Sequence, residues 1–114
     1  MAGGKFSDKH VFPLFLDADA KEVASGNIPV DTSFVKLNPG SGDVDFTLPD
    51  GTIAGQVITV MNISAGNDAN IAVTSPLDAS FSDVDLEAND DVASFIWNNS
   101  KWILFAAGGG VVIT

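Results

Sequence analysis

Hydrophobic and polar residues alternate along much of this chain, with the period of two that is typical of β-strands. The clearest case is residues 92–107, VASFIWNNSKWILFAA, in which two apolar runs flank a short polar linker. Both runs are rich in aromatic and β-branched residues, and each contains one of the chain's two tryptophans. The pattern predicts a β-hairpin with a loop of about three to five residues.

Similar segments precede this hairpin and are separated by turns rich in glycine, proline, asparagine and aspartate. The same alternation predicts strands within residues 33–37, 43–48, 56–63, 70–74 and 83–88. Residues 56–63 are apolar on both faces, which indicates a central strand. Residues 17–25, DADAKEVAS, are the only segment with helical propensity, and we expect about two turns that end at Gly26.

The first 42 residues differ from the rest, and the sequence NPGSG at residues 38–42 is the strongest break in the chain. We interpret residues 1–42 as an arm or clasp that packs on a neighbour or on the main body, residues 43–114. Pro13 confines the apolar run around it to the edge of a sheet. The run suits the edge of its own domain, the edge of another protein's sheet, or a groove between the subunits of a partner. Its apolar members are Val11, Phe12, Leu14, Phe15 and Leu16.

Three glycines precede the last four residues, VVIT. We expect this apolar end to add a strand to the same subunit or to a neighbour, and we assign Val111 and Ile113 to an oligomer interface. Altogether the sequence predicts an all-β fold, a small β-sandwich or barrel with an N-terminal extended arm. Its 114 residues contain no cysteine, 46% of them are hydrophobic, and no secretory signal is visible, so we expect synthesis in a cytoplasm.

The charge balance excludes some classes of partner. Fifteen acidic residues face five lysines and no arginine, for a formal net charge of −10. Binding to nucleic acid or to an anionic membrane surface requires basic residues, so we expect neither. The charge favours solubility, with a cationic partner or calcium as alternatives.

Calcium is the one metal that the sequence brings into question. Asp83, Asp85 and Glu87 share one face of a predicted strand, and residues 89–91 supply further oxygens. The glycine of an EF-hand loop is missing, and a solvated acidic face above buried Val84 and Leu86 explains the pattern more simply. We therefore predict no metal site and no cofactor.

No catalytic constellation is visible either. His10 is the only histidine, and the abundant aspartates are typical of solvated turns rather than of paired catalytic carboxylates. The glycine-rich segments lack the Gly-Lys-Ser/Thr of a phosphate loop. Trp97 and Trp102 suit a sugar-stacking platform, a core or a subunit interface. We assign them to an oligomer interface and predict a non-enzymatic protein.

The order of segments after Phe46 resembles a module of structural proteins of tailed bacteriophages, namely capsid decoration proteins, head fibres and tail-fibre tips. The resemblance covers roughly the last 60% of the chain. It lies in four segments: residues 48–51 (LPDG), 55–59 (GQVIT), 73–76 (VTSP) and 97–103 (WNNSKWI). Fibres usually carry this module at the end of a long shaft, whereas only residues 1–42 are available here for anchoring.

The resemblance implies a β-sandwich or barrel, often trimeric, on the virion surface. We therefore expect a homotrimer that decorates and stabilises a capsid and contacts the major capsid protein through the apolar residues around Pro13. One alternative is the receptor- or carbohydrate-binding tip of a head or tail fibre. Another is a non-viral adhesion or stalk domain.

Overall fold

Two mixed five-stranded sheets pack face to face in the structure, a computed structural model that describes residues 20–109 and the backbone of residues 112 and 113. The first sheet has the strand order β1-β3-β5-β8-β9, and the second has the order β10-β7-β6-β4-β2. The strands are β1 (Lys21–Val23), β2 (Gly26–Asn27), β3 (Phe34–Leu37), β4 (Val44–Leu48), β5 (Val57–Asn62), β6 (Ala69–Val73), β7 (Asp83–Leu86), β8 (Val92–Trp97), β9 (Trp102–Gly108) and β10 (Val112–Ile113).

The first six strands alternate between the two sheets and wind as successive coils. β1, β3 and β5 are parallel neighbours in the first sheet, and β2, β4 and β6 are parallel neighbours in the second. Phe34 pairs with Thr59 and Val44 pairs with Ala69, so the last two coils are offset by 25 residues in both sheets. Parallel pairing of this kind needs the long crossovers that the chain makes between the sheets.

The remaining strands are antiparallel additions to this coil. β8 and β9 form the predicted hairpin, with Trp97 opposite Trp102, and β8 pairs with β5. β7 pairs with β6, and β10 pairs with β7 of the same chain. The C-terminal strand therefore adds to its own subunit, which is one of the two placements that the sequence left open.

A single apolar core lies between the sheets and receives alternate residues of almost every strand. Its largest fully buried side chains include Trp102, Phe46 and Phe95. A turn of 3-10 helix, Ala79–Phe81, adds Phe81 to the same core, and the side chain of Asp78 caps its first turn. The core explains why the chain folds into a sandwich, since each sheet has one continuous apolar face to bury.

A buried asparagine joins the loops at one end of the sandwich. The Asn62 side chain is fully buried, and its Nδ2 donates to the carbonyl oxygens of Leu86 at 2.7 Å and Asn67 at 2.8 Å. Its Oδ1 accepts from the Ser64 N–H at 2.8 Å. The Asp91 carboxylate is also buried and accepts from two backbone N–H groups, those of residues 87 and 88. These bonds fix the loops after β5 and β7, and no side-chain polar atom in the described residues is buried without a partner.

The prediction of an all-β sandwich from alternation is confirmed, including the central position of β5 between β3 and β8. The predicted helix over residues 17–25 is wrong where the structure describes it, because Lys21–Val23 forms a strand that pairs with β3. Of the predicted arm or clasp, residues 21–37 contribute β1, β2 and β3 to the two sheets. Residues 1–19 lie outside the described residues, so the extended arm stays a prediction.

Candidate interaction surface

The two tryptophans form the interior of the hairpin. Their ring centroids lie 5.1 Å apart, and Phe95 packs edge-on against Trp102 with a centroid distance of 6.3 Å. Trp102 is fully buried and Trp97 is only 5% exposed. The Trp102 indole Nε1 donates to the carbonyl oxygen of Pro49 at 2.7 Å, which pairs the polar atom of a buried ring.

The turn at residues 49–51 is shaped to fit this pair. A Cβ atom on Gly51 would collide with Cγ of Trp97, so only glycine lets the turn approach the ring so closely. Both tryptophans are thus buried within one chain and leave little surface for a partner. This burial gives no support to the oligomer interface or to the sugar-stacking platform, and the assignment of both tryptophans to an oligomer interface stays a prediction.

Two exposed apolar side chains flank the hairpin loop, at what we call the hairpin end (residues 50–56, 75–77 and 98–101). Ile53 is 71% exposed and Leu77 is 54% exposed. The Gly55 N–H donates to the Trp97 carbonyl and the Leu77 N–H to the Trp102 carbonyl, each at 2.8 Å. The tryptophan pair therefore holds both segments beside the loop and fixes an apolar flank on each side of it.

The hairpin loop itself is tightly organised by one side chain. The Asn98 Oδ1 accepts from the backbone N–H groups of Ser100 at 2.9 Å and Lys101 at 2.8 Å. Asn99 takes a left-handed backbone with φ of 86°, which asparagine tolerates better than most residues. The loop thus presents its polar residues in a fixed conformation.

The strand at the open side of the first sheet is β9. Its first residue, Trp102, bonds outward to the backbone of Ser75 and Leu77, but no strand in the described part of the chain pairs with the outer side of β9 beyond that point. Phe105 is 55% exposed and is the extra residue of a β-bulge, and the next two alanines are exposed as well. We call Phe105, Ala106 and Ala107 the β9 edge.

The described edge strands differ in how they are protected. β1 exposes Lys21 and Glu22, and β2 and β10 are only two residues long. β9 is seven residues long, and residues 102–114 contain no charged side chain. Charged side chains and short length are the usual means of preventing edge-to-edge association, and β9 has neither.

The outer face of the second sheet is acidic. Asp45, Asn70 and Asp85 lie in register across β4, β6 and β7, and Asn70 Nδ2 donates to Asp45 Oδ1 at 3.3 Å. Partial burial raises the pKa of the Asp85 carboxyl above its usual value, and the nearby carboxylates of Asp68, Asp83 and Asp45 raise it further. The face is a solvated acidic surface, which the alternation of residues 83–88 predicted.

The acidic loop after β7 is not arranged around a cation. The Asp91 carboxylate turns inward to accept from the Glu87 and Ala88 N–H groups at 3.1 Å each. Within residues 20–109, no group of three or more histidine, cysteine or acidic side chains is placed to hold a metal ion. The calcium alternative therefore gains no support from the described residues.

The predicted capsid-binding residues Val11, Phe12, Leu14, Phe15 and Leu16 lie outside the described residues, as do His10 and the side chains of Val111 and Ile113. Their assignments stay predictions. Sequence reasoning missed the β9 edge, although a signal was present. Residues 105–107 are apolar on both strand faces, immediately after a strand that already alternates, and no charge interrupts them.

No model of a known protein family matches the chain, and no curated protein matches it significantly. The resemblance to bacteriophage structural proteins therefore rests on the sequence segments alone. Within the described residues, no helix has the length and apolar character needed to cross a membrane.

Proposed function

We propose that this protein is a non-enzymatic virion structural protein that decorates and stabilises a bacteriophage capsid as an oligomer, with the homotrimer as the expected state. The observation that carries the proposal is the β9 edge. A seven-residue, uncharged edge strand with an exposed phenylalanine is an association site on an otherwise acidic body. A protein that functions within an assembly covers such an edge.

The hairpin end is a separate surface, and we assign it to attachment to the capsid. Ile53 and Leu77 offer apolar contacts on either side of the ordered loop, and Lys101 adds a positive charge there. One such patch is small for stable binding. An oligomer presents several copies at once, and this multivalency raises the overall affinity without strong single contacts.

The alternative, a receptor- or carbohydrate-binding tip, needs an exposed aromatic side chain or convergent polar groups. Both tryptophans are buried, and Phe105 is the large aromatic side chain that stands clearly exposed within residues 20–109. It lies on an open strand edge without a second aromatic ring paired to it in the described residues. The arrangement suits strand pairing better than sugar stacking.

Particle composition tests the proposal. Phage particles purified from cells that produce this protein should contain it in a fixed ratio to the major capsid protein, and they should release it only as the capsid is disrupted. Particles carrying the protein should also withstand heating better than particles assembled without it. Absence of the protein from purified particles would refute the capsid role, whereas its presence only on isolated fibres would favour the alternative.

A further inference from the structure

We infer that the β9 edge of one subunit accepts residues 11–16 of a neighbouring copy as an added strand. The inference deepens the proposed function, on which it rests, by naming what covers the edge. Residues 11–16, VFPLFL, are uncharged and apolar like β9, and their single proline limits them to a position at the edge of a sheet. Strand addition joins main-chain hydrogen bonds to burial of alternate side chains, here against Phe105 and its neighbours.

The chain's own copy of this segment cannot reach β9. β1 and β9 lie at opposite edges of the first sheet, with three strands between them. A strand added beyond β9 would lie five inter-strand spacings from β1, about 24 Å. Leu16 precedes Lys21 by five residues, and a fully extended chain of that length spans at most about 17 Å. The segment that covers β9 must therefore come from a second copy.

Charge favours residues 11–16 of a neighbour over its folded body, residues 20–114, as the partner of the β9 edge. Residues 20–114 contain three lysines and twelve acidic residues, a formal net charge of −9, so two bodies repel each other. Residues 1–16 contain two lysines, one aspartate and His10, so this part of the chain is not acidic. A neighbour's segment can approach the β9 edge without the repulsion that pairing of two β9 strands would meet.

The open edge near β1 is a poorer place for the segment. The exposed residues of β1 and β2 are Lys21, Glu22, Gly26 and Asn27, and the turn between them exposes only Ala24 and Ser25, so six apolar residues have little to bury against. At the β9 edge, by contrast, a phenylalanine and two alanines are exposed in sequence. Burial of apolar surface decides between the two sites, because among the described strands each of β1 and β9 has a strand partner on one side only.

Cysteine cross-linking tests the inference, since the chain has no cysteine of its own. One protein carries Ala106→Cys alone, and a second carries Phe12→Cys, Leu14→Cys or Phe15→Cys alone. Neighbouring strands hold opposite Cα atoms at the separation that a disulfide requires. After the two proteins are dissociated, mixed, reassembled and oxidised, at least one arm position should form a mixed disulfide with Ala106→Cys. Ile53→Cys, also exposed but on the hairpin end, is the matched control and should form little mixed disulfide with these arm positions.

Three outcomes would overturn the inference. They are cross-linking no stronger than that of the Ile53 control, a dominant disulfide between two Ala106→Cys chains, and an intramolecular disulfide in monomers that carry both substitutions. The second indicates β9–β9 pairing, and the third indicates that the segment lies on its own body.

Light scattering gives an independent readout of the same contact. The unmodified protein should have three times the 11.8 kDa of one chain, and Ala106→Lys should reduce this mass to that of a monomer with an unchanged β-sheet spectrum. Ile53→Lys should leave the mass unchanged. An unchanged mass for Ala106→Lys would refute the inference. Because these experiments use pure protein, cross-linking without particle binding would contradict only the capsid role, and particle binding without cross-linking would contradict only the strand addition.

Discussion

Replacement of Asn62 by alanine should destabilise the protein more than replacement of any other polar residue that we consider. The side chain is fully buried, and it makes three hydrogen bonds to backbone groups at 2.7–2.8 Å. Its partners lie in two separate segments, the end of β7 and the loop after β5. Truncation leaves these groups without the partner that joins the segments.

The magnitude follows from the burial of the partners. Leu86 is fully buried and Ser64 is 7% exposed, so water cannot easily replace Asn62 at either of them, whereas Asn67 is partly exposed. An unsatisfied buried polar group costs about 1–3 kcal/mol, and two of them with a small cavity suggest about 4 kcal/mol. That is a large part of the roughly 5–15 kcal/mol that stabilises a typical domain.

Urea denaturation followed by tryptophan fluorescence measures the effect, because both tryptophans are buried in the folded core. With a slope near 1.5 kcal/mol per molar, Asn62→Ala should lower the midpoint by about 2–3 M at equal protein concentration. Asn70→Ala is the matched control, since Asn70 is a half-buried asparagine with one long bond to Asp45, and it should change stability by less than about 0.5 kcal/mol. The reasoning is refuted if Asn62→Ala costs less than about 1 kcal/mol.

Three further substitutions test other parts of the structure. Trp102→Phe should cost about 2–3 kcal/mol in urea denaturation, because the Pro49 carbonyl loses its indole donor and a cavity opens; a loss below about 1 kcal/mol would contradict this. Asp85→Asn should stabilise by about 0.2–1 kcal/mol at pH 7. Because the pKa of Asp85 is raised in the folded state, the ionised carboxylate lowers the free energy of unfolding at neutral pH, and this cost declines as pH falls through the folded pKa. The stability advantage of Asp85→Asn should therefore shrink in acid. An advantage that grew in acid would contradict this. Asn99→Val should lower the melting temperature, because holding a β-branched residue at φ of 86° costs about 1–2 kcal/mol of folding free energy. Asn99→Gly should be nearly neutral. Equal effects of the two substitutions would contradict the role of backbone strain.

The strands could be predicted because their signals are local. The hairpin of β8 and β9 needs only two alternating runs and a short polar loop, and both are contiguous in the chain. The helix over residues 17–25 failed for the opposite reason. Its composition favours a helix weakly, but pairing of Lys21–Val23 with β3 supplies hydrogen bonds that local propensity cannot foresee.

The parallel coil could not be predicted, because strands that pair in it share almost no residue identity. Over the paired strands and the loop between them, residues 34–48 and 59–73 correspond at an offset of 25, yet only Val35/Val60 and Asp43/Asp68 are identical. What the two coils share is the alternation of buried and exposed positions, which any two strands share. Pairing partners distant in sequence are therefore determined by packing rather than by a motif.

The tryptophans show why the site was harder to predict than the fold. Large aromatic residues beside a hairpin loop suit a core as well as an interface, and their composition is the same in both. The decision depended on Gly51, whose missing side chain lets a distant turn cover Trp97. Because that turn covers Trp97, the apolar side chains of the hairpin that remain exposed to a partner are those of Phe105, Ala106 and Ala107.

The positions of donor and acceptor restrict the assembly that strand addition would build. The first described strand, β1, lies at one edge of the first sheet, and the acceptor β9 lies at the opposite edge. Consider two copies side by side, with the β1 edge of the first against the β9 edge of the second. The β1 edge of the second copy is then on its far side, and residues 17–20 are too short to carry its residues 11–16 back to the first copy. The contact is therefore head-to-tail, and such contacts produce a closed ring or an open filament rather than a two-fold dimer. A ring of three, the state that we propose, would pair every β9 edge, whereas a filament would always leave one apolar edge exposed.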